Sequence, residues 1–181
     1  MLVSLSLYTF ADLATKEYAL DNLSTPSTHP TPVCEADQHG HRSFQRIPSQ
    51  AVPLVDGVLR LYYAENCGAA FSMLRAAPGW LRALVFGVAN IGAVLVLSVM
   101  FVRGAGGKPF AAAVPLILSG AIGNLSDRVR HGFVVDFIQV DPRLFSYPVF
   151  NVADIAIAVG VGLMLLDGMK KPSTGTGSPP S

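Results

Sequence analysis

Two long stretches without a charged side chain, Ala83 to Val102 and Pro109 to Ser126, constrain this chain more than any other feature. They run for twenty and eighteen residues. A helix needs ~20 apolar residues to cross a hydrocarbon core ~30 Å thick, so both read as membrane spans. Composition agrees: 51% of the residues are apolar and only 14% charged, with a mean hydropathy of +0.45, where a soluble domain carries about 25% charge. Two further apolar stretches are interrupted by charge. Met1 to Leu20 holds Asp12, Lys16 and Glu17, and Pro148 to Gly168 holds Asp154 and Asp167. Met1 to Leu20 has no basic amino end and no small-residue cleavage pattern after it, so it reads as a retained helix rather than a removed signal.

The expected fold class is membrane all-α. Residues 1–171 form one domain with transmembrane helices at approximately 1–20, 80–102, 109–128 and 148–168, and 172–181 form a disordered tail. Residues 21–50, rich in Ser, Thr, Pro and His, read as an irregular extracytoplasmic insert. Residues 51–75 carry β-branched and aromatic side chains around "VDG", which predicts a small β-containing cap between helices 1 and 2. Arg103 and Lys108 in a six-residue connection, with Lys170 and Lys171 in the tail, place both termini in the cytoplasm under the positive-inside rule. Arginines on the opposite side (Arg42, Arg46, Arg60, Arg75, Arg128, Arg130 and Arg143) leave that orientation resting on the charge density of the short connection.

Several function classes drop out. A net charge of +1 with no basic stripe argues against nucleic acid. No dinucleotide or P-loop fingerprint occurs. His29, Cys34, His39 and His41 lack an established zinc spacing, so no metal is expected. A disulfide between Cys34 and Cys67 is chemically permitted outside the cell, but their positions do not establish one. Ser72, Ser119 and Ser126 have no histidine at a comparable membrane position, and His131 reads as interfacial.

The polar residues inside the apolar stretches are the functional signal. Residues three or four apart share a helix face, as do Asp12 and Lys16, then Asn124, Asp127 and Arg128, then Asn151 and Asp154. Each set lies near the span end that faces the same compartment. Ion pairs of Asp12 with Lys16 and of Asp127 with Arg128, or snorkelling to the headgroups, would account for several of them. Asp136 and Asp154 resist that account. Their flanks, "VVDFI" and "VADIAI", are apolar on both sides, and an intramembrane charge costs at least ~2.5 kcal/mol on the most lenient scale. Two carboxylates sharing a poorly solvated cleft cannot both ionise readily, so one retains a proton and the pair can act as base and acid on a bound water. A proton relay of a transporter would place such groups at mid-membrane within repeated halves, and neither is visible. A catalytically silent binder of precursors is the remaining alternative, and possession of both aspartates speaks against it.

Five blocks in order carry a resemblance: "DLATK" (12–16), "ENCGAAFS" (65–72), "GAIGNLSDR" (120–128), "VVDFI" (134–138) and "FNVADIAI" (150–157). Together the chain resembles the lipoprotein signal peptidases, signal peptidase II. That resemblance implies a four-helix aspartic protease of the bacterial inner membrane, with its active site near the extracytoplasmic face, which cleaves before the lipidated cysteine of diacylglyceryl-modified prolipoproteins. It implies Asp136 and Asp154 as the catalytic pair and Asn66, Asn124, Arg128 and Asn151 as substrate-binding polar residues. Asp12, Lys16, Gly68, Gly123 and Asp127 are implied as structural supports. It further implies prolipoprotein and membrane-lipid partners, inhibitors of the globomycin type, no cofactor, and a monomer. Ser119 stands where the family commonly has glycine, Ser126 replaces a usual apolar residue, and the segment 21–50 is longer than the family's connection.

Overall fold

In the computed structural model the second uncharged stretch becomes helix α3 (Lys108–His131). Proline in its first turn lacks an N–H that the turn would leave unpaired in any case. Gly132 closes the other end at φ +82°, donating its N–H to the Arg128 carbonyl at 3.1 Å, a left-handed cap that glycine adopts without strain. This helix is long and apolar enough to cross a membrane. The structure describes residues 2–28, 45–67, 79–141, 143 and 147–169.

The remaining elements are helices α1 (Leu2–Leu23), α2 (Gly79–Val102) and α4 (Val152–Gly168), and strands β1 (Ser24–Pro26), β2 (Arg46–Pro48), β3 (Val52–Val55), β4 (Leu59–Asn66) and β5 (Val134–Val140). The architecture is therefore helical with a sheet-containing part. Helix α3 is central and touches α1, α2, α4 and β5. Its approach to α4 depends on Gly120: a Cβ there would stand 2.5 Å from the Ala153 carbonyl oxygen and 2.7 Å from Ile157 Cγ1. Small residues of this kind let helix backbones approach closely. Helix α2 presents exposed Leu84, Val88, Leu95 and Val99 along its length.

Strands β1 and β2 pair antiparallel, and β3, β4 and β5 form a second antiparallel sheet. This corrects two expectations. The cap is not built from the α1–α2 connection alone, because its third strand, β5, comes from between α3 and α4. The stretch "VVDFIQV" has the β-branched and aromatic content of a strand. Nor is the segment 21–50 irregular throughout: α1 continues to Leu23, and Ser24 pairs with Pro48. The Glu65 carboxylate accepts the N–H groups of Gln45 and Arg46 at 2.9 and 2.8 Å, and the Arg46 guanidinium donates to the Leu20 carbonyl at 2.8 Å. Residues 29–44 lie outside the described residues.

The fourth helix starts later than its apolar run. Phe150 is held to β5 by N–H donation from Phe137 and Ile138 to its carbonyl, at 3.0 and 2.8 Å, and by its own N–H to the Ile138 carbonyl at 3.0 Å. Two apolar clusters bracket the polar residues. One joins Leu20 and Leu23 of α1 to Tyr63, Phe133, Val135 and Phe137 under the sheet, and the other joins Leu97 of α2 to Phe110, Val114 and Leu118 of α3.

Gly120→Ala should destabilise the fold by about 1–3 kcal/mol, the usual cost of forcing an extra carbon into a packed contact. The obstructing Ala153 carbonyl is backbone and has little freedom to yield. Thermal unfolding in detergent checks it, and an unchanged midpoint would show that α3 and α4 separate without cost.

Candidate active site

Asp136 is brought to the site by strand pairing. It lies on β5 opposite Ala64 of β4, and Asn66, two residues along the same face, donates its amide to Asp136 Oδ2 at 2.9 Å. Asp136 is 2% exposed. Its other oxygen, Oδ1, accepts the Asn151 amide at 2.7 Å.

Asp154 is brought there by helix capping. Asn151 is the N-cap of α4: its Oδ1 accepts the Asp154 N–H at 3.0 Å, while Asp154 Oδ2 accepts the Asn151 N–H at 3.2 Å. This reciprocal pair satisfies two backbone donors that a helix start leaves open, and the macrodipole favours an acidic group in the same turn. Asn-x-x-Asp ahead of an apolar run is itself a cap signal, which the helix-face reading of Asn151 and Asp154 overlooked. The two aspartates thus reach one place by different local rules, and both touch Asn151.

Asn124 on α3 completes the connection. Its Nδ2 donates to Asp154 Oδ1 at 2.9 Å, and its Oδ1 accepts from Asn151 Nδ2 at 3.1 Å and from the Lys16 ammonium at 2.9 Å. Lys16, 1% exposed, also contacts Asp12 Oδ2 at 2.8 Å and Asp127 Oδ2 at 3.1 Å. Those two carboxylates do not end there. Asp12 Oδ1 accepts the Ala153 N–H at 2.8 Å and Asp127 Oδ2 accepts the Val135 N–H at 3.0 Å. Asp127 is therefore the partner of Lys16, and the sequence pairing of Asp127 with Arg128 is replaced. Arg128 donates instead to the Asn124 carbonyl at 3.0 Å, with its charge in the field of Asp136 and Asp154.

Gly123 faces Asp12, whose carboxylate occupies the space a Cβ would take. Gly68 lies outside the described residues. Asp167, the other acid of the fourth apolar run, is at the opposite end of α4, where it accepts the Gly107 N–H at 2.9 Å. Cys67, next to Asn66, is disulfide-bonded. Among the described residues no group of three or more His, Cys, Asp or Glu could hold a metal ion.

Burial, and then the charge of Asp154, push the Asp136 carboxyl up to about 7, against the hydrogen bonds from Asn66 and Asn151 and the charge of Lys16. Two linked carboxyl groups, one buried and retaining its proton near neutrality, have the chemistry to act as acid and base on a bound water.

The comparisons with known proteins agree with that chemistry. Residues 5–170 match the family described as "Signal peptidase (SPase) II". The chain belongs to the signal peptidase II family, and is thus a peptide hydrolase. A lipoprotein signal peptidase of Actinobacillus succinogenes is 46% identical over 113 residues, 62% of this chain and 69% of that protein. One of Photorhabdus laumondii subsp. laumondii is 41% identical over 128 residues, 70% of this chain and 75% of that protein. The fold is similar to a solved bacterial membrane enzyme, crystallised by the in meso method at 2.3 Å resolution, with TM-score 0.73 and 22% identity over 99% of this chain and 93% of that one.

The raised Asp136 carboxyl has a consequence for stability. A carboxyl whose folded-state value exceeds its unfolded value makes the folded chain bind more protons, so stability is fully present at low pH and declines as pH rises between the two values. Here the window runs from 3.8 to about 7. Asp136→Asn, which stays neutral, should unfold at a higher temperature than the wild type above this window and at a similar temperature below it. Thermal unfolding in detergent across pH tests this, and identical profiles for the two proteins would refute it.

Proposed function

We propose that this chain removes signal peptides from diacylglyceryl-modified prolipoproteins, cleaving before the lipidated cysteine, with Asp136 and Asp154 as the catalytic dyad. The observation that carries the reading is Asn151, which meets Asp136 Oδ1 at 2.7 Å and Asp154 in a reciprocal cap at 3.0 and 3.2 Å. One residue thereby holds both carboxylates, Asp136 through its side-chain amide and Asp154 through its backbone N–H.

In this reading Asp154, half-buried in the first turn of α4, enters as the carboxylate, and Asp136 enters protonated. Asp154 takes a proton from a water as its oxygen attacks the scissile carbonyl carbon. Asp136 gives its proton to the carbonyl oxygen. The tetrahedral intermediate collapses with cleavage of the C–N bond, returning a proton to Asp136 from the hydroxyl and passing the one on Asp154 to the departing amine. Asn66, Asn124 and Asn151 hold the carboxylates, so their first role is orientation. Arg128, a planar cation beside both, is placed to bind the peptide backbone or the ester region of the lipid.

Four spans α1 to α4 would cross the membrane, with the site at the end where α1 and α3 finish and α4 begins. The α2–α3 connection with Arg103 and Lys108 then lies in the cytoplasm with both termini, and the site near the extracytoplasmic face. Exposed apolar faces on α1 (Leu7, Phe10), α2 (Val88, Leu95) and α4 (Val159, Leu165) support lipid contact, since a protein in water rarely presents such patches. A substrate anchored by acyl chains arrives at this depth with its scissile bond already positioned.

Asp136→Asn and Asp154→Asn should each lower turnover of a purified lipidated precursor by ~100-fold or more, the scale of general acid–base catalysis, while the proteins stay inserted. Near-normal turnover by either would sink the dyad.

Recognition through the lipid makes a separate demand. The same precursor with an unmodified cysteine should be cut at least ~100-fold more slowly, the worth of a few lost methylene contacts. Equal rates at matched concentration in one detergent would show that acyl chains do not position the substrate.

A further inference from the structure

The mechanism leaves one buried cation without a stated task. Lys16 is 1% exposed, and its ammonium makes three contacts: Asp12 Oδ2 at 2.8 Å, Asn124 Oδ1 at 2.9 Å and Asp127 Oδ2 at 3.1 Å. A counter-ion for two acids would be satisfied by the acids alone. The contact with Asn124 has a different consequence. An ammonium carries only donors, so whichever atom of the Asn124 amide faces it must be the oxygen. The nitrogen must then face the other way, where it donates to Asp154 Oδ1 at 2.9 Å. An amide free of Lys16 could rotate and present its oxygen to that carboxylate instead.

We propose that Lys16 is a positioning residue for the reaction: its ammonium locks the Asn124 amide so that an N–H, rather than an oxygen, points at Asp154, and thereby decides which aspartate enters as the base. This rests on the dyad reading above. The choice is made from α1, a helix that contributes no group to the dyad itself. Asn151 reinforces it, since its own amide is held by the Asp154 N–H at its oxygen and so can only donate to Asn124 Oδ1, at 3.1 Å. Arg128 from α3 and Asp136 from β5 act directly on Asp154, while Lys16 and Asp12 from α1 and Asp127 from α3 form the charged group behind Asn124. Lys16 is tied to the Asp154 carboxylate through the Asn124 side chain, an amide with two orientations of opposite effect on that carboxylate.

Lys16→Met alone would leave Asp12 and Asp127 buried without a cation, and loss of folding would obscure the result. The informative variant is Asp12→Asn/Lys16→Met/Asp127→Asn, in which the asparagines still accept the Ala153 and Val135 N–H groups and no charge is stranded. Cleavage of a fluorogenic lipidated precursor would be followed across pH, with thermal unfolding in the same detergent. The expected result is a folded enzyme whose kcat falls by about tenfold to a hundredfold at unchanged KM, with the acid limb of its pH profile moved up by about one to two units, the worth of one hydrogen bond to a charged group. Wild-type kcat with the wild-type acid limb would overturn the proposal and leave Lys16 as a counter-ion only.

Asn124→Asp gives an independent reading. It keeps a partner for Lys16 and the same shape, but turns a carboxylate oxygen towards Asp154, so its acid limb should move up further. An unchanged limb there would also overturn the proposal. Asp136→Asn and Asp154→Asn in the same assay separate the two ideas. If those variants remain active, the dyad is wrong; if they are inactive while the Lys16 and Asn124 variants keep the wild-type limb, only the lock is wrong.

Discussion

Enclosing an ammonium group away from water costs several kcal/mol unless it is paired and hydrogen-bonded, and that requirement at Lys16 organises the described fold. Its partners Asp12, Asn124 and Asp127 lie on α1 and α3. Both carboxylates then reach onward to backbone N–H groups, Asp12 to Ala153 at the start of α4 and Asp127 to Val135 on β5. One cation therefore ties two helices directly, and a third helix and a strand through their main chains. Gly123 is part of the same demand, because any side chain there would displace the Asp12 carboxylate.

Around that centre the proposed catalytic aspartates occupy unlike settings. Asp136 sits on a strand, fully enclosed, where burial favours the protonated form. Asp154 sits half-buried in the first turn of a helix, inside a capping box, where the Asn124 amide and the Asn151 N–H donate to its carboxylate. Two chemically identical residues are made different by the element that carries each, which is what acid and base roles require. The same Asn151 that starts the helix also holds the strand aspartate, so local capping and long-range geometry are one contact set.

The apolar architecture places this polar centre rather than surrounding it evenly. One cluster lies beneath the sheet and another joins α2 to the first half of α3, leaving the second half of α3 with Asn124, Asp127 and Arg128 between them. The close contact at Gly120 brings α4 near enough for Ala153 to meet Asp12 and for Asp154 to meet Asn124.

Much of this was legible in the amino-acid sequence. The uncharged runs 83–102 and 109–126 lie within α2 and α3, because a helix satisfies its backbone with local hydrogen bonds and needs only enough length. The family followed from five ordered blocks, since residue types at fixed order need no three-dimensional knowledge. Asp136 and Asp154 stood out because a carboxylate among apolar neighbours demands compensation wherever it is. The compensation itself was not legible. Strand β5 was hidden because pairing with β4 links residues some seventy positions apart, and the partners of Lys16 and Asp127 were hidden because a charge pairs across space with whatever the packing brings near. The sequence by itself thus determined which residues carry charge into an apolar chain; only the tertiary structure decided what each of them meets.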